Sequence, residues 1–254
     1  MEPVLKVSDL TKVFTGRGHA DLTAVDHISF ELHSGECLGL IGESGSGKTT
    51  VVNMITRLLD ASGGSILLDG RDITRVRGKE LRMAYRKMQM VFQTPADSFD
   101  PRRTLGDGIG ESLRNLGLSR EETKKEVARL LTECGLTPDF AGRYPHEVSG
   151  GQCQRAAIAR ALAVKPRLLI CDEATSSLDV TIQKEIVALL NELRSQRGGE
   201  LSILFICHDI ALVQQFCDRV LVMYRGRIVE QGIPDAIIRD PGNAYTRRLI
   251  DSIL

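Results

Sequence analysis

No apolar run in this 254-residue chain approaches the roughly 18 residues that a membrane-spanning helix needs. The N-terminal stretch MEPVLKVSDL lacks a basic segment followed by an apolar core, so no secretory leader is expected. The protein should therefore be soluble or peripheral to a membrane. Charge of one sign is also missing in excess: Lys plus Arg and Asp plus Glu both total 33, and nothing in that balance suggests a polyanion as partner. The densest basic stretch, Arg71 to Lys87, is interrupted by Asp72 and Glu80 and reads as a solvated helix face. The six cysteines include no CxxC pair, which argues against a metal or cluster site. Several sit inside apolar runs, where free cysteine behaves as a small core residue in a reducing compartment. Sustained heptads, internal repeats and an [NT]KxD element are all absent. What remains is a globular chain, 42% hydrophobic, long enough to bury a substantial core.

Its most informative stretch is Gly42 to Thr50, GESGSGKTT, which follows the apolar run Cys37–Ile41 and precedes the helix-compatible Val51–Ile55. This is GxxxxGK[ST] in full, set between a strand and a helix. Gly42, Glu43, Ser44, Gly45, Ser46 and Gly47 would turn the backbone sharply and aim successive N–H groups at a triphosphate, helped by the positive end of the following helix. Lys48 would reach the outer phosphates, the Thr49 hydroxyl would ligate Mg²⁺, and Thr50 completes the cradle.

Upstream, Val4–Leu10 and Ile28–Leu32 alternate like strands around a loop expected from Thr15 to Asp26. Phe14, just before that loop, has two readings: a ring stacked on adenine, or ordinary packing at a strand end. Downstream, the pattern gives a helix over Val51–Leu59, a short strand Ser65–Leu68, a helix Lys79–Arg86 and a buried strand Met88–Phe92. Gln93 follows that strand, where a ligand of an open α/β sheet would sit. It faces either the metal and terminal phosphate or solvent as a loop amide.

From Thr94 to about Lys165 the pattern turns helical, with Val127, Leu130, Leu131 and Cys134 on one face, and reads as a lobe inserted into the sheet. Ser149, Gly150, Gly151 and Gln152 precede a helix expected over Cys153–Val164. Ser149 is a plausible cap, so this is a second helix start suited to phosphate, although SGGQ alone is more often a linker or cap than a site. Leu168–Cys171 then ends in Asp172 and Glu173, the pattern of a central strand with acids at its carboxyl end. Asp172 would hold a metal and Glu173 would polarise an attacking water. Ser176–Ser177–Leu178–Asp179 leads into another helix, with Asp179 as candidate cap. The strand Ser202–Cys207 ends at His208, which either hydrogen-bonds the terminal phosphate or is structural. A hairpin around Arg225–Gly226 and short helices complete the chain.

Taken together, these stretches resemble the ATP-binding subunit of ABC transporters along essentially the whole chain. GESGSGKT resembles Walker A, Gln93 the Q-loop, VSGGQ the family signature, LLICDE Walker B, SSLD the D-loop and His208 the H-loop, in family order. The resemblance implies an α/β P-loop NTPase core with a mostly parallel sheet, an N-terminal antiparallel β subdomain and an inserted α-helical subdomain. Residues 1–93 and 166–254 would form the core and 94–165 the helical part of a single domain. It also implies ATP and Mg²⁺ as cofactors, with Phe14 on adenine, Thr49, Gln93 and Asp172 around the metal, and Glu173 as general base. Two such subunits would sandwich two ATP molecules, each between Gly42–Thr50 of one and Ser149–Gln152 and Asp179 of the other.

Within the family, FQTP and SFDPR (Phe92 to Arg102), HDIALV from His208 and the ending Tyr245–Ile250 resemble the oligopeptide, dipeptide and nickel importer branch. That implies transmembrane permease subunits, a sibling ATPase subunit and, indirectly, a substrate-binding protein as partners, with the chain peripheral on the cytoplasmic face of the membrane. Val148 and Ala174 stand where Leu and Pro are commoner in that branch, and a longer cysteine-rich tail is not expected after Leu254. A soluble ABC ATPase acting on nucleic acid or ribosomes fits less well without a coiled coil or a second cassette. A GTPase or kinase leaves VSGGQ unexplained.

Overall fold

The computed structural model describes residues 3–16, 21–174 and 178–251. In chain order the strands are β1 (Leu5–Phe14), β2 (Leu22–Leu32), β3 (Cys37–Ile41), β4 (Gly63–Leu68), β5 (Arg71–Asp72), β6 (Met88–Val91), β7 (Leu168–Asp172), β8 (Ser202–Ile206), β9 (Arg219–Tyr224) and β10 (Arg227–Gly232). The α-helices are α1 (Lys48–Ile55), α2 (Gly78–Lys87), α3 (Leu105–Asn115), α4 (Arg120–Glu133), α5 (Gly150–Leu162), α6 (Val180–Gln196), α7 (Ile210–Phe216), α8 (Pro234–Arg239) and α9 (Ala244–Asp251). An antiparallel sheet of order β2-β1-β4-β5 packs against a larger one of order β10-β9-β3-β8-β7-β6. In the larger sheet every pairing is parallel except β9 with β10. This is the α/β fold expected from the sequence.

Strands β3 and β8 are buried along their whole length, which is why they read as continuous apolar runs. The side chains of β3, β7 and β8 divide by the two-residue period of a strand. Leu38, Leu40, Ile170, Leu204 and Ile206 join the core shared with α1 and the antiparallel sheet. Cys37, Leu169, Cys171, Ile203 and Phe205 join the opposite core, which takes in α3 to α9. All six cysteines are free and buried, as small core residues should be.

The N-terminal hairpin departs from the pattern. Strand β1 runs on to Phe14 and β2 begins at Leu22, so the expected loop from Thr15 to Asp26 is much shorter. Asp9 and His27 adopt φ near +50°, and the β1–β2 register shifts repeatedly after Val7. These bulges break the alternation by which a strand is recognised. Helix α1 starts at Lys48 and stops at Ile55 rather than running from Val51 to Leu59. The Thr56 hydroxyl bonds back to Val52 O at 2.8 Å, and Arg57 turns to φ +61°. Helix α5 begins at Gly150 and not at Cys153, so both signature glycines lie in its first turn. Of the SSLD stretch, Ser176 and Ser177 lie outside the described residues.

Candidate active site

Because β3, β8, β7 and β6 are parallel neighbours, their carboxyl ends form one edge. Gly42–Thr50 leaves β3, His208 follows β8, Asp172 and Glu173 end β7, and Gln93 follows β6. The topology thus brings together residues up to 166 positions apart in sequence, Gly42 to His208, where open α/β sheets bind ligands.

The phosphate loop wraps into α1 with glycines where backbone geometry demands them. Gly42 (φ +149°) leaves a Cβ only 2.2 Å from Met223 O, and Gly47 (φ +106°) leaves one 2.5 Å from Ala24 O. Gly47 occupies the N-cap of α1 without a capping side chain, so the first N–H groups of that helix remain available to an anion. Lys48 is buried and donates to Gly42 O at 2.7 Å and Glu43 O at 3.0 Å. Burial lowers its pKa, while the charges of Glu173 and Asp172 work against that shift. Thr49, by contrast, is exposed with its hydroxyl open to a ligand.

Asp172 is mostly buried, and its Oδ1 has no hydrogen-bond partner. Desolvation first, and then the like charge of Glu173, push its carboxyl up to about 6, with Lys48 pulling the other way. A buried carboxylate oxygen with no donor, beside a second carboxylate, suits a hard divalent cation that takes oxygen ligands. Glu173 itself is held at φ +47°, a left-handed conformation uncommon for a side-chain-bearing residue, while its N–H donates to Ile206 O at 3.1 Å. The backbone turn at the end of β7 is therefore pinned to β8, next to His208. Gln93 and His208 are both exposed on this edge.

Phe14 ends β1 opposite Leu22, two residues before Ala24, whose carbonyl abuts Gly47. Its ring is 42% exposed, with Lys12 Nζ 5.0 Å from the centroid, on the flank of the phosphate loop.

The signature residues stand elsewhere. Ser149 caps α5 in a capping box: its Oγ accepts from Gln152 N at 3.3 Å, and Gln152 Oε1 accepts from Ser149 N at 3.0 Å. Helix α5 packs on α3, α4, β6 and α6. No hydrogen bond or ion pair joins residues 149–152 to the phosphate loop among the described residues. Asp179 caps α6, accepting from Ile182 N at 3.0 Å.

With this geometry in view, residues 25–176 match the ABC transporter family. The chain belongs to that family. It is similar to OppF of Salmonella typhimurium LT2, an oligopeptide transport ATP-binding protein, at 44% identity over 234 residues, 91% of this chain and 70% of OppF. GsiA of Escherichia coli O6:H1, a glutathione import ATP-binding protein, is 45% identical over 259 residues, which take in 99% of this chain and 41% of GsiA. The dimeric post-hydrolysis cassette MJ0796, bound to ADP and Pi, superposes with a TM-score of 0.81 at 29% identity, over 91% of this chain and 98% of that one. Like these ABC ATPases, the chain is an ATP-binding, ATP-hydrolysing subunit. Among its described residues, no helix is long and apolar enough to cross a membrane.

The structure also supplies residues that motif reading missed, all of them behind the ABC phosphate loop. Gly226 N donates to Ser46 O at 2.9 Å, and Glu43 N donates to the Tyr245 hydroxyl at 3.0 Å. These supports lie more than 170 residues downstream in sequence, in segments with no phosphate-binding pattern of their own. The Arg225–Gly226 turn and the Tyr245–Ile250 ending were the available signals.

Proposed function

We propose that this chain energises the import of peptides through a membrane permease. The observation that carries the reading is the single sheet edge where the phosphate loop, the acids of β7, Gln93 and His208 converge, in a chain 44% identical to a peptide-transport ATPase. The relatives with peptide and glutathione names favour a peptide over the nickel-type cargo of the same branch.

In this reading Gly42–Thr50 and Lys48 bind the phosphates of ATP and Phe14 stacks on adenine. Glu173 takes the proton of the attacking water, and His208 donates to the γ-phosphate. Asp172, Thr49 and Gln93 would hold Mg²⁺, which when bound neutralises charge on the phosphates. The orphaned Oδ1 of Asp172 and the open Thr49 hydroxyl fit that ion. Residues 1–93 and 166–254 act as the core and 94–165 as the helical part, with α3, α4 and α5 falling inside it.

Ser149–Gln152, which make no hydrogen bond or ion pair to the phosphate loop of their own chain among the described residues, are completed by the ATP of a second ATPase subunit, and Asp179 joins them there. A sibling chain is the preferred partner. A groove of about 590 Å³ beside Gln93, lined by Leu58, Tyr85 and Phe92 and by the charged Arg103 and Glu111, leaves Leu58 and Phe92 exposed. Exposed apolar side chains ringed by charged ones suit a permease segment, which would place the chain peripherally on the cytoplasmic face of the membrane. A substrate-binding protein would act indirectly, through the permease.

Co-expression with the permease subunits of a peptide importer tests the proposal. Recovery of the chain in the membrane fraction, with ATP hydrolysis stimulated by peptide-loaded binding protein, is expected. A chain that stays in the soluble fraction and ignores peptide would overturn it.

A further inference from the structure

The stretch Tyr245–Ile250 carries a family likeness in sequence, yet none of the roles above uses it. In the structure it opens α9, and its first residue reaches back to the phosphate loop. Tyr245 is only 4% exposed, and its hydroxyl accepts from Glu43 N at 3.0 Å. Burial pushes the pKa of that hydroxyl up, so it remains a neutral acceptor.

The ring is firmly aimed. Tyr224, at the end of β9, stacks on it with centroids 4.0 Å apart and planes 26° from parallel. The segment leading into α9 is tied to β10: Glu230 accepts from Gly242 N at 2.8 Å and from Asn243 N at 3.2 Å, and Asn243 Oδ1 accepts from Tyr245 N at 2.8 Å. A hydroxyl placed by this much surrounding structure is held rather than merely packed.

What it holds is one peptide unit. The Gly42–Glu43 peptide presents its oxygen to Lys48 Nζ at 2.7 Å and its nitrogen to Tyr245 Oη. Lys48 must turn from that oxygen to reach a phosphate, and the clamp on the nitrogen side is then the one that persists. We infer that Tyr245 is a positioning residue for nucleotide binding: its hydroxyl fixes the first peptide of the phosphate loop while Lys48 engages ATP. The inference rests on the proposed role of Gly42–Thr50 and adds a residue to it. Tyr245 never touches ATP; it acts through the backbone of Glu43, and it lies outside the stretch 25–176 that matches the family.

The test uses the full chain and equilibrium titration with a fluorescent ATP analogue, together with steady-state hydrolysis. Tyr245→Phe keeps the ring and its stacking on Tyr224 and removes only the acceptor. One lost hydrogen bond corresponds to an expected rise of about 5-fold in Kd and in KM, with kcat changed by less than about 2-fold. Thr246→Val is the control on the same helix, because the Thr246 hydroxyl is buried without a partner and its removal should leave Kd and KM in place. Tyr224→Leu, which releases the ring but spares the hydroxyl, should also raise Kd. An unchanged Kd in a folded Tyr245→Phe chain would overturn the inference, as would a fall in kcat with KM unmoved. Lys48→Ala separates this result from failure of the site itself: if that variant binds the analogue as tightly as the unaltered chain, the phosphate-loop reading falls. If it binds weakly while Tyr245→Phe binds normally, only the role of Tyr245 falls.

Discussion

A Cβ built on Gly151 stands 2.7 Å from Cγ2 of Ile182, so the first turn of α5 lies directly against the first turn of α6. The signature glycine is thus in contact with the helix that Asp179 caps. Gly151→Ala should force Ile182 aside and cost about 1–3 kcal/mol, the usual penalty for overpacking. A lowered thermal midpoint, restored when Ile182→Ala is added, is the expected outcome. A double-mutant cycle with no coupling between the two sites would deny the contact.

Helices α4 and α5 open with the same device. Ser119 with Glu122, and Ser149 with Gln152, form capping boxes. Replacing either serine by alanine should cost about 1 kcal/mol of stability, since each satisfies an N-terminal donor. The proposed role of Ser149 on a second subunit's ATP adds a difference: Ser149→Ala should also slow ATP turnover, whereas Ser119→Ala should not. Thermal melts and phosphate release on both variants check the pair. Equal turnover in the two would leave Ser149 a cap and nothing more.

Asp172 carries a cost in the metal-free chain. Its carboxyl is raised from 3.8 to about 6, so the folded state binds the proton more tightly than the unfolded chain does. Stability from this group is therefore full below 3.8 and is lost as pH rises to about 6. Asp172→Asn should remove that dependence and stabilise the chain at pH 8 by something on the order of 1 kcal/mol, allowing for solvent screening of a partly exposed group. The same variant should lose Mg²⁺-dependent hydrolysis. Denaturant melts across this pH range, with and without the substitution, decide it.

The sequence shows most clearly those parts of the site that are contiguous. Gly42–Thr50 and Leu168–Glu173 each carry their chemistry in one stretch, because a strand and the turn after it are local objects. Ser149 was legible as a cap for the same reason. The bulged hairpin was not, since positive φ at Asp9 and His27 leaves no trace in an alternation pattern. The sequence starts α5 too late because glycines count against a helix in propensity, although here they sit where Leu178 and Ile182 leave little room for a Cβ. Tyr245 behind Glu43 is a contact across 202 residues, which chain folding alone creates.

ATP turnover and ATP binding measured together on Glu173→Gln test the assignment of this edge most directly. The substitution preserves side-chain size and removes the base, so binding should hold while phosphate release falls by about 10²–10⁴-fold. Turnover equal to that of the unaltered chain would contradict Glu173 as the general base and, with it, the chemistry placed at the end of β7.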